Sequence, residues 1–144
     1  MPINIKMVNN EENRKVAYLM RHGSYEQSGG LSVMGKQGVR RAAINIGDEL
    51  LEQGYKGLVR IFASPLLRAE ETADMVALTL ENKGIETNCQ LENMLECDKY
   101  QIMKAVNGLD YDVGIFVSHQ PDLERALRGE RFLTASYRRI NVEK

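Results

Sequence analysis

Two short apolar runs, Val16–Met20 and Val113–Val117, each end directly in a histidine-bearing turn, Arg21-His22-Gly23 and Ser118-His119-Gln120. Runs of about five residues rich in β-branched and aromatic types read as strands buried on both faces. Chains that bury strands in this way cover them with helices, and ligands then bind just beyond the carboxyl ends of the strands. The chain has only two histidines, and both fall at such ends.

The segments between these strands read as helices. Ser32 can cap a helix that begins near Met34, in which Val39, Ala43, Ile46 and Leu50 recur every three or four residues and Gly54 takes the C-terminal cap. Leu58–Ala63 reads as a second strand, and Ser64-Pro65 then predicts a helix with a capping hydroxyl and a first-turn proline. Its apolar face would carry Leu66, Ala69, Ala73, Val76 and Leu80, ending before Gly84. A weaker strand is predicted over 85–91 and a helix over 98–107. After the strand at 113–117, a short helix is expected from Pro121 to about Gly129, then a last, exposed edge strand within 132–142. Alternating strands and helices predict an α/β fold, a three-layer sandwich whose mostly parallel central sheet carries helices on both faces.

At 144 residues the chain fits one domain, read here as residues 15–144 behind a polar extension, 1–14. Nineteen basic residues against twenty acidic ones, with no long block of like charge, point to neither a nucleic acid nor a membrane surface. No apolar run approaches the length of a bilayer span, and no signal-like stretch opens the chain, so the expected compartment is cytoplasmic. Cys89 and Cys97 lack metal-site or redox spacing and read as reduced packing or surface residues. No cofactor and no metal are expected: two histidines among arginines would repel a divalent cation, and no Glu-x-x-His spacing occurs.

Four clusters follow four strands: Arg21-His22-Gly23, Ser64-Pro65 through Arg68, the acidic stretch from Glu92 to Asp98, and Ser118-His119. Brought to one sheet edge, they make a pocket of two arginines, two histidines and a carboxylate, which suits a phosphoryl group. Guanidinium forks match phosphate oxygens, helix N-terminal amides add partial positive charge, and a neutral imidazole can attack phosphorus. Taken singly, the same residues have plainer readings. Gly23 allows a tight turn, Ser118 ends a strand, Arg68 is a solvated helix residue, and Glu70 and Glu71 offset a helix dipole.

Leu19-Met-Arg-His-Gly23, Ser64-Pro-x-x-Arg-Ala-x-x-Thr-Ala73 and Val117-Ser-His-Gln-Pro-Asp122, in that order, resemble the signatures of the histidine phosphatase superfamily, which includes the phosphoglycerate mutases. Small size and the His-x-Pro-Asp form of the third segment make the chain most similar to the short bacterial phosphohistidine phosphatases. That resemblance implies a phosphoglycerate-mutase-like fold over about 15–142, with His22 as the nucleophile. It also implies that Arg21, Arg68 and His119, with Gly23, bind the phosphoryl group. Many members of the family place a general acid after the third strand, where Glu92, Glu96 and Asp98 compete; Glu96 is favoured, because Leu95 can turn inward. The implied substrate is a phosphorylated protein, such as a phosphotransfer domain or phosphocarrier. The alternatives are a small phosphoester, whether for a phosphatase or a mutase, and a non-catalytic phosphate-binding module.

Overall fold

The computed structural model describes residues 15–91, 112–118 and 133–142. In chain order these form β1 (Lys15–Arg21), α1 (Val33–Glu52), β2 (Val59–Ala63), α2 (Leu67–Asn82), β3 (Thr87–Leu91), β4 (Val113–Ser118) and β5 (Tyr137–Val142). The five strands make one sheet in the order β3-β2-β4-β1-β5, parallel throughout except for β5, which runs antiparallel to β1.

Burial follows position in the sheet. All six residues of the central β4 are buried, which accounts for its unbroken apolar sequence. β2 alternates buried with half-buried residues, and β3, on one edge, is largely exposed. The predicted edge strand is β5, whose Arg138, Arg139 and Asn141 face solvent.

Register fixes which side chains share a face. Val16, Tyr18 and Met20 of β1 lie opposite Val113, Ile115 and Val117 of β4, which lie opposite Val59, Ile61 and Ala63 of β2. These rows meet Val39, Ala43, Ile46 and Leu50 of α1 and Ala69, Ala73, Val76 and Leu80 of α2 in one cluster. Each fully buried aliphatic side chain of this kind contributes about 1.5–3 kcal/mol. Ala17, Leu19 and Phe116 on the other face are also fully buried, and Phe116 stacks on Phe62 with ring centroids 4.9 Å apart. Both faces of the central strands are therefore covered. The helices predicted over 98–107 and 121–129 lie outside the described residues, as does the extension 1–14.

Both helices stop as their glycines predict. Gly54 (φ +71°) and Gly84 (φ +85°) sit just past α1 and α2. The amides of Tyr55 and Ile85 bond back to Leu50 and Leu80, and those of Gly54 and Gly84 to Leu51 and Glu81, the paired bonds of a Schellman motif.

The start of α2 departs from expectation. Its first helical residue is Leu67, capped by Leu66 with no side-chain bond, so Ser64 and Pro65 stand before the helix rather than at its cap and first turn. The Ser64 amide is drawn into the sheet by Val117 O (3.1 Å), and its hydroxyl accepts from Leu66 N (3.3 Å). The helix begins only after that turn closes. Among the described residues no helix is long and apolar enough to cross a membrane.

Candidate active site

The ends of β1, β4 and β2 are level: Arg21 pairs with Ser118, and Met20 lies opposite Val117, which lies opposite Ala63. The chain therefore releases Arg21-His22, Ser64 and the link toward His119 at one edge. His22 N donates to Ser118 O (3.1 Å), which ties the turn after β1 to the end of β4.

His22 is 3% exposed. Its Nδ1 lies 2.9 Å from Gly23 O, an acceptor only, so Nδ1 carries the proton and Nε2 the lone pair. Toward that lone pair Arg68 Nε donates, at 3.4 Å. The imidazole is thus presented with a defined tautomer, its nucleophilic nitrogen beside a permanent cation. Arg68 sits at the second position of α2, where a positive charge opposes the helix dipole; an anion bound there would offset both.

The turn carrying His22 is pinned from several sides. Gly23 N donates to Thr72 Oγ1 (3.0 Å), and the same hydroxyl donates to Arg68 O (2.7 Å). Ala135 N donates to His22 O (3.0 Å) from the turn at 133–136, with Ala135 itself in the left-handed region at φ +61°. A Cβ at Gly23 would lie 2.7 Å from Val39 Cγ2 and 3.0 Å from Gly35 O, so the glycine allows β1 and α1 to approach closely.

The loop between β1 and α1 is closed on itself. Tyr25 and Leu31 form a bridge, Glu26 N donates to Gly30 O, and Gly29 N to Glu26 O. Its far end is held by Glu71 Oε1, which accepts from Leu31 N at 2.7 Å. Glu71, read from sequence as a dipole-offsetting carboxylate, instead fastens a loop 40 residues away. Glu70, in the first turn, keeps the dipole role.

The structure therefore brings His22, Gly23 and Arg68 together. Arg21, half-buried, follows the strand alternation onto the face of Ala17 and Leu19, opposite α2. His119 and the candidate acids Glu92, Glu96 and Asp98 lie outside the described residues. Sequence reasoning passed over Tyr25, whose ring meets His22 edge-on (centroids 5.5 Å apart) and lies under the Arg68 guanidinium, with Cζ 4.3 Å from the centroid. It also left Thr72 without a role, although its position four residues after Arg68 on a helix was a usable signal.

No protein-family model matches the sequence, and no curated protein does. Solved structures do match. The protein histidine phosphatase SixA complexed with tungstate superposes with a TM-score of 0.67 at 20% identity, over 86% of each chain. The fold is that of the histidine phosphatases and phosphoglycerate mutases. SixA from Agrobacterium tumefaciens shares this phosphoglycerate-mutase-like fold at TM-score 0.64 and 16% identity, over 89% of this chain and 91% of the other. The phosphoglycerate mutase of Plasmodium falciparum does so at 0.61 and 19%, over 91% and 84%. Within this fold His22 follows the carboxyl end of β1 and Arg68 lies in the first turn of the helix after β2.

Proposed function

We propose that this chain is a phosphatase that carries a phosphoryl group on Nε2 of His22 and takes it from a phosphohistidine side chain of a protein. One observation carries the reading: a buried imidazole whose Nδ1 proton is held by Gly23 O while Arg68 faces its Nε2. In the first step the Nε2 lone pair attacks phosphorus and the P–N bond to the substrate imidazole breaks. In the second, water attacks phosphorus, the His22 P–N bond breaks, and inorganic phosphate leaves. Arg68, whose guanidinium edge already faces Nε2, donates to the phosphoryl oxygens there, joined by Arg21 and His119, and so stabilises charge as it spreads over the transferring group. Glu96 is the proposed acid for ester leaving groups, which would otherwise depart as strongly basic alkoxides; a substrate imidazole can enter already protonated and leave as the neutral ring.

Two further features support a protein substrate. SixA, a protein histidine phosphatase, is among the structural neighbours and was solved with tungstate, a tetrahedral oxyanion. Exposed apolar side chains also collect at the site's edge of the sheet: Tyr25, Val33 and Met34 around the start of α1, Leu67 at the start of α2, Leu91 at the end of β3, and Leu133 before β5. An apolar rim around a polar pocket suits a macromolecular partner better than a small sugar phosphate.

The test is phosphate release from a phosphohistidine protein, a phosphoserine peptide and phosphoglycerate, by wild type and His22→Ala. Turnover of the phosphohistidine protein that vanishes in His22→Ala is expected, with Arg68→Ala about a hundredfold slower. Efficient hydrolysis of the phosphomonoesters with the phosphohistidine protein untouched overturns the substrate assignment.

A further inference from the structure

We infer that Tyr25 is a positioning residue for Arg68, its ring serving as the platform that holds the guanidinium in place for a phosphoryl oxyanion. This rests on the reading above in one respect, that Arg68 receives the oxyanion.

A guanidinium at the mouth of a pocket has long side-chain freedom to lose before it can bind anything. Carboxylates are the usual means of fixing one, but a carboxylate occupies the N–H donors and cancels the charge that an anion needs. Among the described residues Arg68 makes no salt bridge. It is held instead through its face. The Tyr25 centroid lies 4.3 Å from Cζ, well inside cation–π range, while Nε still points along the guanidinium edge to His22 Nε2 at 3.4 Å. Stacking of this kind fixes the plane and leaves the edge donors for a ligand.

The platform is itself held by the helix that bears Arg68. Thr72 Oγ1 takes the amide of Gly23 and Glu71 Oε1 takes that of Leu31, so consecutive residues of α2 grip both ends of the loop that carries Tyr25. The ring then returns to Arg68, one turn earlier on the same helix. Helix, loop and ring form a closed circuit in which Arg68 cannot swing without unstacking. Tyr25 is 48% exposed, so replacing it removes the platform and leaves the core intact.

The test reads oxyanion binding separately from turnover. Tungstate and inorganic phosphate are titrated calorimetrically into wild type, Tyr25→Phe, Tyr25→Leu, Arg68→Ala and the Tyr25→Leu/Arg68→Ala double variant, with phosphohistidine turnover measured alongside. Tyr25→Leu is expected to weaken both oxyanions about tenfold. Tyr25→Phe, which keeps the ring, is expected to restore binding, and Tyr25→Leu to add nothing once Arg68 is gone. Wild-type affinity in Tyr25→Leu, or an equal loss with and without Arg68, overturns the inference. Coupled binding without phosphohistidine turnover leaves Tyr25 in place and defeats only the proposed substrate. Turnover with no Tyr25–Arg68 coupling does the reverse, and a wild type that neither binds an oxyanion nor turns over the phosphohistidine protein overturns both.

Discussion

The hydroxyl of Thr72 does two jobs within 3 Å: it accepts the amide of Gly23, the residue after the proposed nucleophile, and donates to the carbonyl of Arg68. Threonine is buried here and back-bonded to its own helix, a habit that suits its side chain and leaves a lone pair for the loop. Thr72→Val keeps the shape and removes both bonds, stranding a buried N–H at a cost of about 1–3 kcal/mol. Denaturant unfolding should show that loss, and phosphatase kcat should fall with it because Gly23 and His22 share the released turn. Thr72→Ser should recover most of both. Valine that matches wild type in stability and kcat would mean that the hydroxyl holds nothing. Cys89 illustrates a residue kept out of chemistry. Partial burial, with Asp74 and Glu81 nearby, pushes its thiol up to about 11, and Sγ rests 3.8 Å from Ala73 O. Although exposed on the edge strand β3, it stays protonated at neutral pH and should react slowly with iodoacetamide.

At the scale of elements, the site depends on how α1 and α2 hold the loop between β1 and α1. Ser32 caps α1 by accepting from Gly35 N (3.0 Å), and Ser24 O accepts from Ser32 N, so the helix start is folded back against the loop. Gly35 is the position where the two touch: a Cβ there would run into Ser24 O, a backbone atom that cannot turn aside. Gly35→Ala should therefore destabilise by about 1–3 kcal/mol, read as a lowered Tm, whereas alanine in an open helix position would have raised stability. Glu71→Ala should release the other end of the loop. Faster hydrogen exchange at the Leu31 amide with global stability nearly unchanged is the expected signature, and unchanged exchange would place the loop's anchor elsewhere.

These elements also show what a sequence can reveal. The α1 stripe, the Ser32 cap, the two glycine stops and the unbroken apolar β4 are local patterns, and each was legible because burial and backbone geometry act over a few residues. His22 and Arg68 were legible as a pair because both follow strands. The start of α2 was not: Ser64-Pro65 looks locally like a cap and first turn, and only the pairing of β2 with β4 takes the Ser64 amide away. Glu71 and Tyr25 were hidden for the same reason. Their partners, Leu31 and Arg68, lie 40 and 43 positions away, and nothing in a linear pattern marks a contact made by a loop folding onto a helix.

For the whole molecule, three tyrosines placed in and around the sheet make stability fall at alkaline pH. Burial, with Glu49 adding to it, raises Tyr18 to about 12; burial and Asp112 raise Tyr55 to about 12; burial and Glu49 push Tyr137 upward. Each phenol is favoured in its neutral form by the fold. Between the ordinary value near 10 and about 12, the folded chain then holds protons that the unfolded chain has released. Unfolding releases protons in that window, so stability falls as pH rises through it, while below pH 10 these groups contribute no pH dependence. Tyr18 is the most telling of the three. It is fully buried at the centre of β1, its ring edge-on to Tyr137 with centroids 5.7 Å apart, and its hydroxyl has no hydrogen-bond partner among the described residues. A buried hydroxyl without a partner costs free energy, so Tyr18→Phe keeps the packing and removes the cost. The variant should be at least as stable as wild type at pH 7 and should lose less stability between pH 10 and 12, measured by urea unfolding at each pH. A variant clearly less stable at pH 7 would show that the hydroxyl is satisfied after all. An unchanged alkaline slope would assign the lost protons to Tyr55, Tyr137 and Cys89 instead.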